Sequence, residues 1–411
     1  MTFNDLPLHK TILRAVTEAG YQQPTEIQEK AIPLIIQEKD VIGIAQTGTG
    51  KTASFALPIL QLLLNKQHAA KRKKQIRALV VTPTRELAEQ IYEAFKTYGK
   101  YTNIRATTIY GGTAMEPQID RLKKGVDVLI ATPGRLLDLY KRELINLDKV
   151  EILVLDEADL MLDMGFIDDV NKIVKITPDN KQILLFSATM PNKIIELTKA
   201  ILNEPEKIEI SQKTPKKIEQ KLYYVSKRKK MELALHLLRN EIKGSILIFR
   251  RTKFGVNKLE ETLTKNGYKV TSLHGDKSQK ARQDALNSFK NKEVNILIAT
   301  DVASRGIDIN ELDAVVNFDQ PNIPETYIHR IGRTGRAGKT GVAYSLCSPD
   351  EVAYIKRIQK LMEQPIREIK DHPYIQRPKN KDIEKPQEPK KKKYKKGRKS
   401  AASKKKKKRW Y

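Results

Sequence analysis

The chain has 411 residues, a formal net charge of +28, 39% hydrophobic residues and a single cysteine. That length exceeds one ordinary core and calls for two or three units. The lone Cys347 excludes an intrachain disulfide and a cysteine zinc site, and the charge favours a polyanionic partner.

Leu6 to Ala19 is amphipathic and ends at Gly20, as a helix would. In the following Gly20 to Gln28, Pro24 marks a turn and Thr25 can cap the next helix. A glutamine amide can pair with the N6 and N7 edge of adenine, although Gln28 taken alone is an ordinary helix residue. Then Val41 to Ile44 leads into Ala45-Gln46-Thr47-Gly48-Thr49-Gly50-Lys51-Thr52 and on into Ala53 to Leu57, a strand, a tight loop and a helix start. Gly48 and Gly50 let backbone N–H groups turn inward toward phosphate oxygens. Lys51 adds a point charge, and the Thr52 hydroxyl is placed for Mg2+. Ala45 stands where the general pattern has glycine.

Short apolar runs then alternate with helical patterns: Ala78 to Val81, Ala106 to Tyr110, Asp127 to Ala131, Glu151 to Leu155 and Gln182 to Phe186. Such alternation implies a parallel sheet with helices on both faces, whose ligands gather at the carboxyl ends of the strands. Those ends carry Pro83-Thr84-Arg85, Gly111-Gly112, Thr132-Pro133-Gly134-Arg135, Asp156-Glu157-Ala158-Asp159 and Ser187-Ala188-Thr189. Asp156 suits a magnesium ligand and Glu157 a base for an attacking water, which together make a hydrolysis site.

Two prolines between about Asn203 and Pro215 read as a linker. A second α/β pattern follows, with strands expected at Leu222 to Val225, Ser245 to Phe249, Val270 to Leu273, Asn295 to Ala299, Ala314 to Phe318 and Val342 to Leu346. It lacks a phosphate loop and supplies polar and cationic groups instead: His274-Gly275-Asp276 with Gln279 and Arg282, Thr300 to Asp308, and His329 to Arg336. Arg333 and Arg336, three apart, would share one face if the segment is helical, and are candidates for charge stabilisation at a γ-phosphate.

Together these motifs resemble the DEAD-box ATP-dependent RNA helicases, most closely the bacterial RhlE type, from Phe3 to about Ser348. Beside a lysine-rich tail at 367–411 that its composition leaves disordered, the resemblance implies two RecA-like domains, each a parallel sheet flanked by helices, with a first domain at 1–205, a linker at 206–217 and a second domain at 218–366. It implies ATP and Mg2+ as cofactors, RNA as partner, and ATP-driven local unwinding of RNA or remodelling of RNA–protein complexes, ribosomal precursors among them. By matching position, Gln28 would read adenine with Tyr21, Phe3 and Thr25 nearby, and Ala45 to Thr52 would hold the phosphates and metal. Asp156 and Glu157 would act in hydrolysis, and Ser187, Ala188 and Thr189 would couple it to strand separation. Gly306 and Asp308 would approach the nucleotide, and His329, Arg333 and Arg336 would complete catalysis. RNA would meet Pro83, Thr84, Arg85, Gly111, Gly112, Thr132, Pro133, Gly134 and Arg135 on one lobe, and Gly275, Gln279, Arg282, Thr300 and Asp301 on the other. Arg250 and Lys253 depart from the usual wording of their motif.

Pro378 to Tyr411 holds 17 lysines and arginines against three acids, half of the net positive excess. Such a segment cannot build a core and is expected to tether RNA without sequence preference. Two other readings use the same residues: a DNA-directed two-lobe ATPase, and a non-enzymatic RNA chaperone acting through the tail. A monomer is expected. No leader-like or membrane-spanning pattern is present, so a cytoplasmic location away from membranes is expected as well.

Overall fold

The computed structural model of the chain describes residues 1–45, 48–65, 75–210, 218–304, 312–335 and 341–376. A parallel strand covered on both faces must be apolar on both, and the run Ala78 to Val81 illustrates this. Ala78 and Val80 pack under the helices Lys51–Asn65 and Arg85–Tyr98, while Leu79 and Val81 face Pro133–Lys141 and Ile167–Lys175. Seven such strands build the first lobe: β1 (Val41–Ile44), β2 (Ala78–Val81), β3 (Ala106–Ile109), β4 (Val128–Ala131), β5 (Ile152–Leu155), β6 (Gln182–Ser187) and β7 (Glu206–Glu209). Their order is β3-β4-β2-β5-β6-β1-β7, all parallel.

The second lobe repeats the plan with β8 (Ile218–Tyr224), β9 (Ile246–Phe249), β10 (Val270–Leu273), β11 (Ile296–Ala299), β12 (Ala314–Asn317), β13 (Gly341–Cys347) and β14 (Arg367–Glu368). The order is β10-β11-β9-β12-β13-β8-β14, again parallel. In each sheet the loops after neighbouring strands therefore open on one shared edge. No described helix is long and apolar enough to cross a membrane.

Every expected strand is present, with ends shifted by a few residues; β8 begins four residues before the expected start. Two boundaries differ. Residues 206–209, expected to begin the linker, are the edge strand β7 in register with the phosphate-loop strand β1. Residues 367–376, expected to begin the tail, belong to the second lobe. Ile369 and Gln376 donate to the Leu222 and Tyr224 carbonyls, Ile375 bridges Val225, and His372 is buried. The residues beyond 376 lie outside the described ones.

A buried ionic knot fixes the upper part of this lobe. Both oxygens of the Glu351 carboxylate, 3% exposed, are used. It accepts from Lys230 Nζ at 2.5 Å, Arg251 Nη2 at 3.1 Å, the Gln320 N–H at 3.0 Å and both the N–H and hydroxyl of Ser348. The knot ties the residues after β9 to those after β12 and β13.

Candidate active site

The loop after β1 meets the helix that Thr25 caps. Thr25 and Gln28 form a reciprocal capping pair, with the Thr25 N–H donating to Gln28 Oε1 at 2.9 Å. Gln28 Nε2 donates to the Gly50 carbonyl at 3.2 Å, so the buried amide joins this helix to the phosphate loop. One lone pair and one N–H of the amide are left over, a complementary pair for N7 and N6 of adenine. Gly50 has φ +93°, and a Cβ there would come within 2.4 Å of Gln28 Nε2, so only glycine fits. Tyr21, Thr25, Gln28, Gly48, Gly50, Lys51, Thr52, Asp156 and Glu157 line one cleft of about 660 Å³. Tyr21 is held from behind by Phe3 and Tyr98, edge to face, and the Tyr98 hydroxyl donates to that of Tyr21. Phe3 is buried in the core and supports the cleft without lining it. Gln46 and Thr47 lie outside the described residues.

Strand β5 is followed by Asp156, buried, and by Glu157, which adopts left-handed backbone angles of φ 54° and ψ 53°. A side chain in that region costs about 1–3 kcal/mol and is held there by its surroundings. Here the holding contact is visible: Lys51 Nζ donates to Glu157 Oε1 at 2.7 Å, with both side chains nearly excluded from solvent. Burial works to lower the Lys51 pKa, but Glu157, Asp156 and Asp159 outweigh it and keep the ammonium above its ordinary range. Burial, with Glu157 alongside, pushes Asp156 up to about 7 against the pull of Lys51. Asp156 Oδ1 is buried with no hydrogen-bond partner. Two carboxylates against one ammonium, with an orphaned oxygen in the cleft that Thr52 also lines, are a donor set that suits a hard divalent cation.

Asp159 links this site to the next strand end. Its carboxylate accepts from the N–H and hydroxyl of Thr189 at 3.0 and 2.9 Å, and its own N–H donates to Ser187 Oγ. Ser187 Oγ in turn donates to the Thr189 carbonyl, while the Ser187 carbonyl accepts from the Ala45 N–H at the mouth of the phosphate loop. The run Ser187, Ala188, Thr189 is thus wired to both Asp159 and Ala45. Across from it, His329 and Arg333 of the second lobe share with Glu157, Asp159 and Thr189 the lining of a cavity of about 280 Å³. Gly306, Asp308 and Arg336 lie outside the described residues.

Along the first sheet's carboxyl edge, three adjacent strand ends carry the residues expected to meet RNA. Thr84 caps the helix after β2, Thr132 caps the one after β4 with Pro133 and Gly134 opening it, and Gly111-Gly112 follow β3. Arg85 donates to the Gly112 carbonyl, where φ is +74° and a Cβ would meet the guanidinium at 2.3 Å. Arg135 donates to Thr113 with one nitrogen, and its Nη1 is buried without a partner. Two helix N-termini and these guanidinium groups favour phosphates. On the second lobe, Gly275 and Thr300 sit after the neighbouring strands β10 and β11, and Gln279 opens the helix Gln279–Lys290. His274 is a structural pin: it accepts from the Asp276 N–H through Nδ1 and donates to Asn257 through Nε2, with burial lowering its pKa.

The first lobe matches the DEAD/DEAH box helicase model over residues 25–197, and the second the helicase conserved C-terminal domain over 229–338. The chain is 46% identical over 367 residues to the DEAD-box ATP-dependent RNA helicase RhpA of Helicobacter pylori, covering 89% of this chain and 73% of that one. It is 43% identical to the helicase CshA of Geobacillus kaustophilus, covering 90% and 78%. This chain belongs to the DEAD-box ATP-dependent RNA helicases. The fold is similar to that of Mss116p bound to ssRNA and AMP-PNP, with a TM-score of 0.82 at 30% identity over 91% of this chain and 80% of that one. Saccharomyces cerevisiae Dbp5 bound to RNA and ADP BeF3 gives 0.79 at 32% identity over 90% and 95%. Scores of that size over nine-tenths of the chain require both lobes to superpose at once, so this helicase holds its lobes as those two proteins do.

Three pairings in the helicase site escape a reading of the sequence. Asp159 stands out there only as part of a motif, because its contact with Thr189 needs two strand ends to be neighbours. Glu86 follows the expected RNA residues, and Arg282 Nη2 reaches it across the lobes at 2.9 Å. That assigns Arg282, expected on RNA, a contact within the protein. Arg330 holds both oxygens of Asp301 at 2.6 and 2.7 Å, so Asp301, expected on RNA too, is occupied as well. The motifs contain members of these pairs, but nothing in their spacing says which of them meet.

Proposed function

We propose that this DEAD-box helicase is of the RhlE type and acts in the cytoplasm as a monomer on structured RNA and RNA–protein complexes, ribosomal precursors among them. The wording of its motifs supports the subtype, and one buried cysteine suits a reducing compartment. The observation that carries the mechanism is that Glu157, ion-paired with Lys51 on one lobe, shares the lining of a cavity with His329 and Arg333 of the other. Neither lobe is a complete site alone.

Gln28 takes the adenine edge, and Lys51, with two donors beyond the one given to Glu157, takes phosphate oxygens. Thr52 and Asp156 would hold Mg2+, which would supply charge neutralisation on the phosphates. As phosphates draw Lys51, Glu157 is freed to accept the proton of the attacking water. Arg333, with His329 and Arg336, stabilises charge developing on the γ-phosphate, and Gly306 and Asp308 approach the nucleotide. RNA lies along both carboxyl edges, on Pro83 to Arg85, Gly111, Gly112, Thr132 to Arg135, Gly275, Gln279 and Thr300. Because RNA and ATP favour the same joined arrangement, each raises affinity for the other. The network through Asp159, Thr189 and Ser187 carries loss of the γ-phosphate to the strand ends.

Turnover of ATP by the full chain should rise at least ten-fold with single-stranded RNA and much less with DNA of the same sequence, since only RNA offers 2′-hydroxyls. Equal stimulation would favour a DNA-directed ATPase, and no hydrolysis a passive chaperone. Removing residues 378–411 should weaken RNA binding about ten-fold at low salt and flatten its salt dependence. An unchanged slope in a titration of affinity against salt would reduce that segment to a solubilising one.

A further inference from the structure

Phe254 is the most exposed large hydrophobic side chain among the described residues, at 76%. It is the second residue of the helix Lys253–Lys265, whose cap Thr252 accepts from the Gly255 N–H at 3.1 Å. Gly255 and Val256, next in the chain, are buried, so the helix is seated while the phenyl ring stands out among its exposed polar side chains. Its location is specific. The preceding Lys253 reaches Asp276 Oδ2 at 2.5 Å, which pins this turn beside Gly275 at the end of β10. The turn therefore stands at the carboxyl edge where β9, β11 and β10 end side by side, with Thr300 between.

Single exposed apolar residues need no explanation on a plain surface. At this edge the surroundings are polar and cationic, with exposed Arg251, Thr252 and Lys253 immediately before the ring. None of the hydrophobic clusters includes it. An exposed aromatic face at a polar strand edge is what an unpaired base stacks on, and stacking tolerates any base because each has a π-face.

We infer that Phe254 is a base-stacking contact for the single strand on the second lobe, an addition to contacts that otherwise grip backbone. The inference rests on the RNA path proposed above. It gives the lobe one hold on a base that a paired strand, whose bases are stacked on each other, cannot offer. Phe254 thereby favours the unpaired strand over the duplex.

The test measures binding of the full chain, with AMP-PNP, to a single-stranded RNA and to a series carrying one abasic site at each position. Phe254→Ala should bind intact RNA about ten-fold more weakly, and Phe254→Tyr close to wild type. One abasic position should cost the wild type about the same factor and cost Phe254→Ala nothing. The slope of affinity against salt should not change in Phe254→Ala, since no phosphate contact is lost. RNA-free ATP hydrolysis should be unaltered in both variants, as the side chain supports no core. Equal affinity of Phe254→Ala and wild type, or equal losses at every abasic position, would overturn the inference while leaving RNA-stimulated turnover intact. Absence of that stimulation in the wild type would remove the path and the stacking contact together.

Discussion

Glu157→Gln should lower RNA-stimulated ATP turnover by about 10²–10⁴-fold, because the amide cannot accept the proton that the carboxylate takes from water. Binding should move the other way. Lys51 Nζ is shared between Glu157 and incoming phosphates, and its present partner lies at 2.7 Å. An amide holds the ammonium less strongly than a carboxylate, so ATP should bind the variant at least as tightly as the wild type. The result is a lower kcat with no rise in KM, the pattern of a lost transition-state interaction. In the absence of nucleotide the same change leaves a buried ammonium short of charge compensation, at a cost of about 2 kcal/mol in stability. Steady-state hydrolysis and nucleotide titration separate these outcomes. Undiminished turnover would show that Glu157 is only the counter-ion of Lys51.

Glu351→Ala should destabilise the second lobe by about 3–5 kcal/mol. It strands Lys230, 3% exposed, with only the Phe318 carbonyl at 2.7 Å and Asp319 at 3.8 Å. It also leaves the N–H groups of Gln320 and Ser348 without their acceptor. Two lobes rarely unfold in one step, so amide hydrogen exchange is the suitable probe. Protection should fall in β8, β12 and β13 and persist in β2, β5 and β6. If exchange in β13 slowed or stayed the same, the knot around Glu351 would carry no net stability.

Much of this architecture is legible in the amino-acid sequence. Strands such as Ile152 to Leu155 are covered on both faces, so each reads as an unbroken apolar run, and the polar residues after it fall on the ligand edge by topology alone. Edge strands give no such signal. In Glu206-Lys207-Ile208-Glu209 only Ile208 is buried, because an outermost strand is covered on one side and carries charge on the other. The segment 367–376 escapes for a related reason, since its anchors Ile369, His372 and Tyr374 follow no helical or strand period. Within the site, residue types are legible and pairings are not. Lys51 and Glu157 are 106 positions apart, and nothing local says that they meet. Arg282 reads as an RNA contact because a cation at a ligand edge fits an anion; the anion it meets here is Glu86.

The pairing of β7 with β1 has a kinetic meaning. It anchors the chain beside the phosphate loop as far as Ile210, whose N–H donates to the Ile44 carbonyl, and β8 of the other lobe starts at Ile218. Eight peptide steps span at most about 28 Å. So short a leash keeps the arginine-bearing half at an effective concentration near the millimolar range. Any rejoining of parted lobes is then an internal event, insensitive to dilution, and severing the backbone between those anchors would turn it into a second-order encounter.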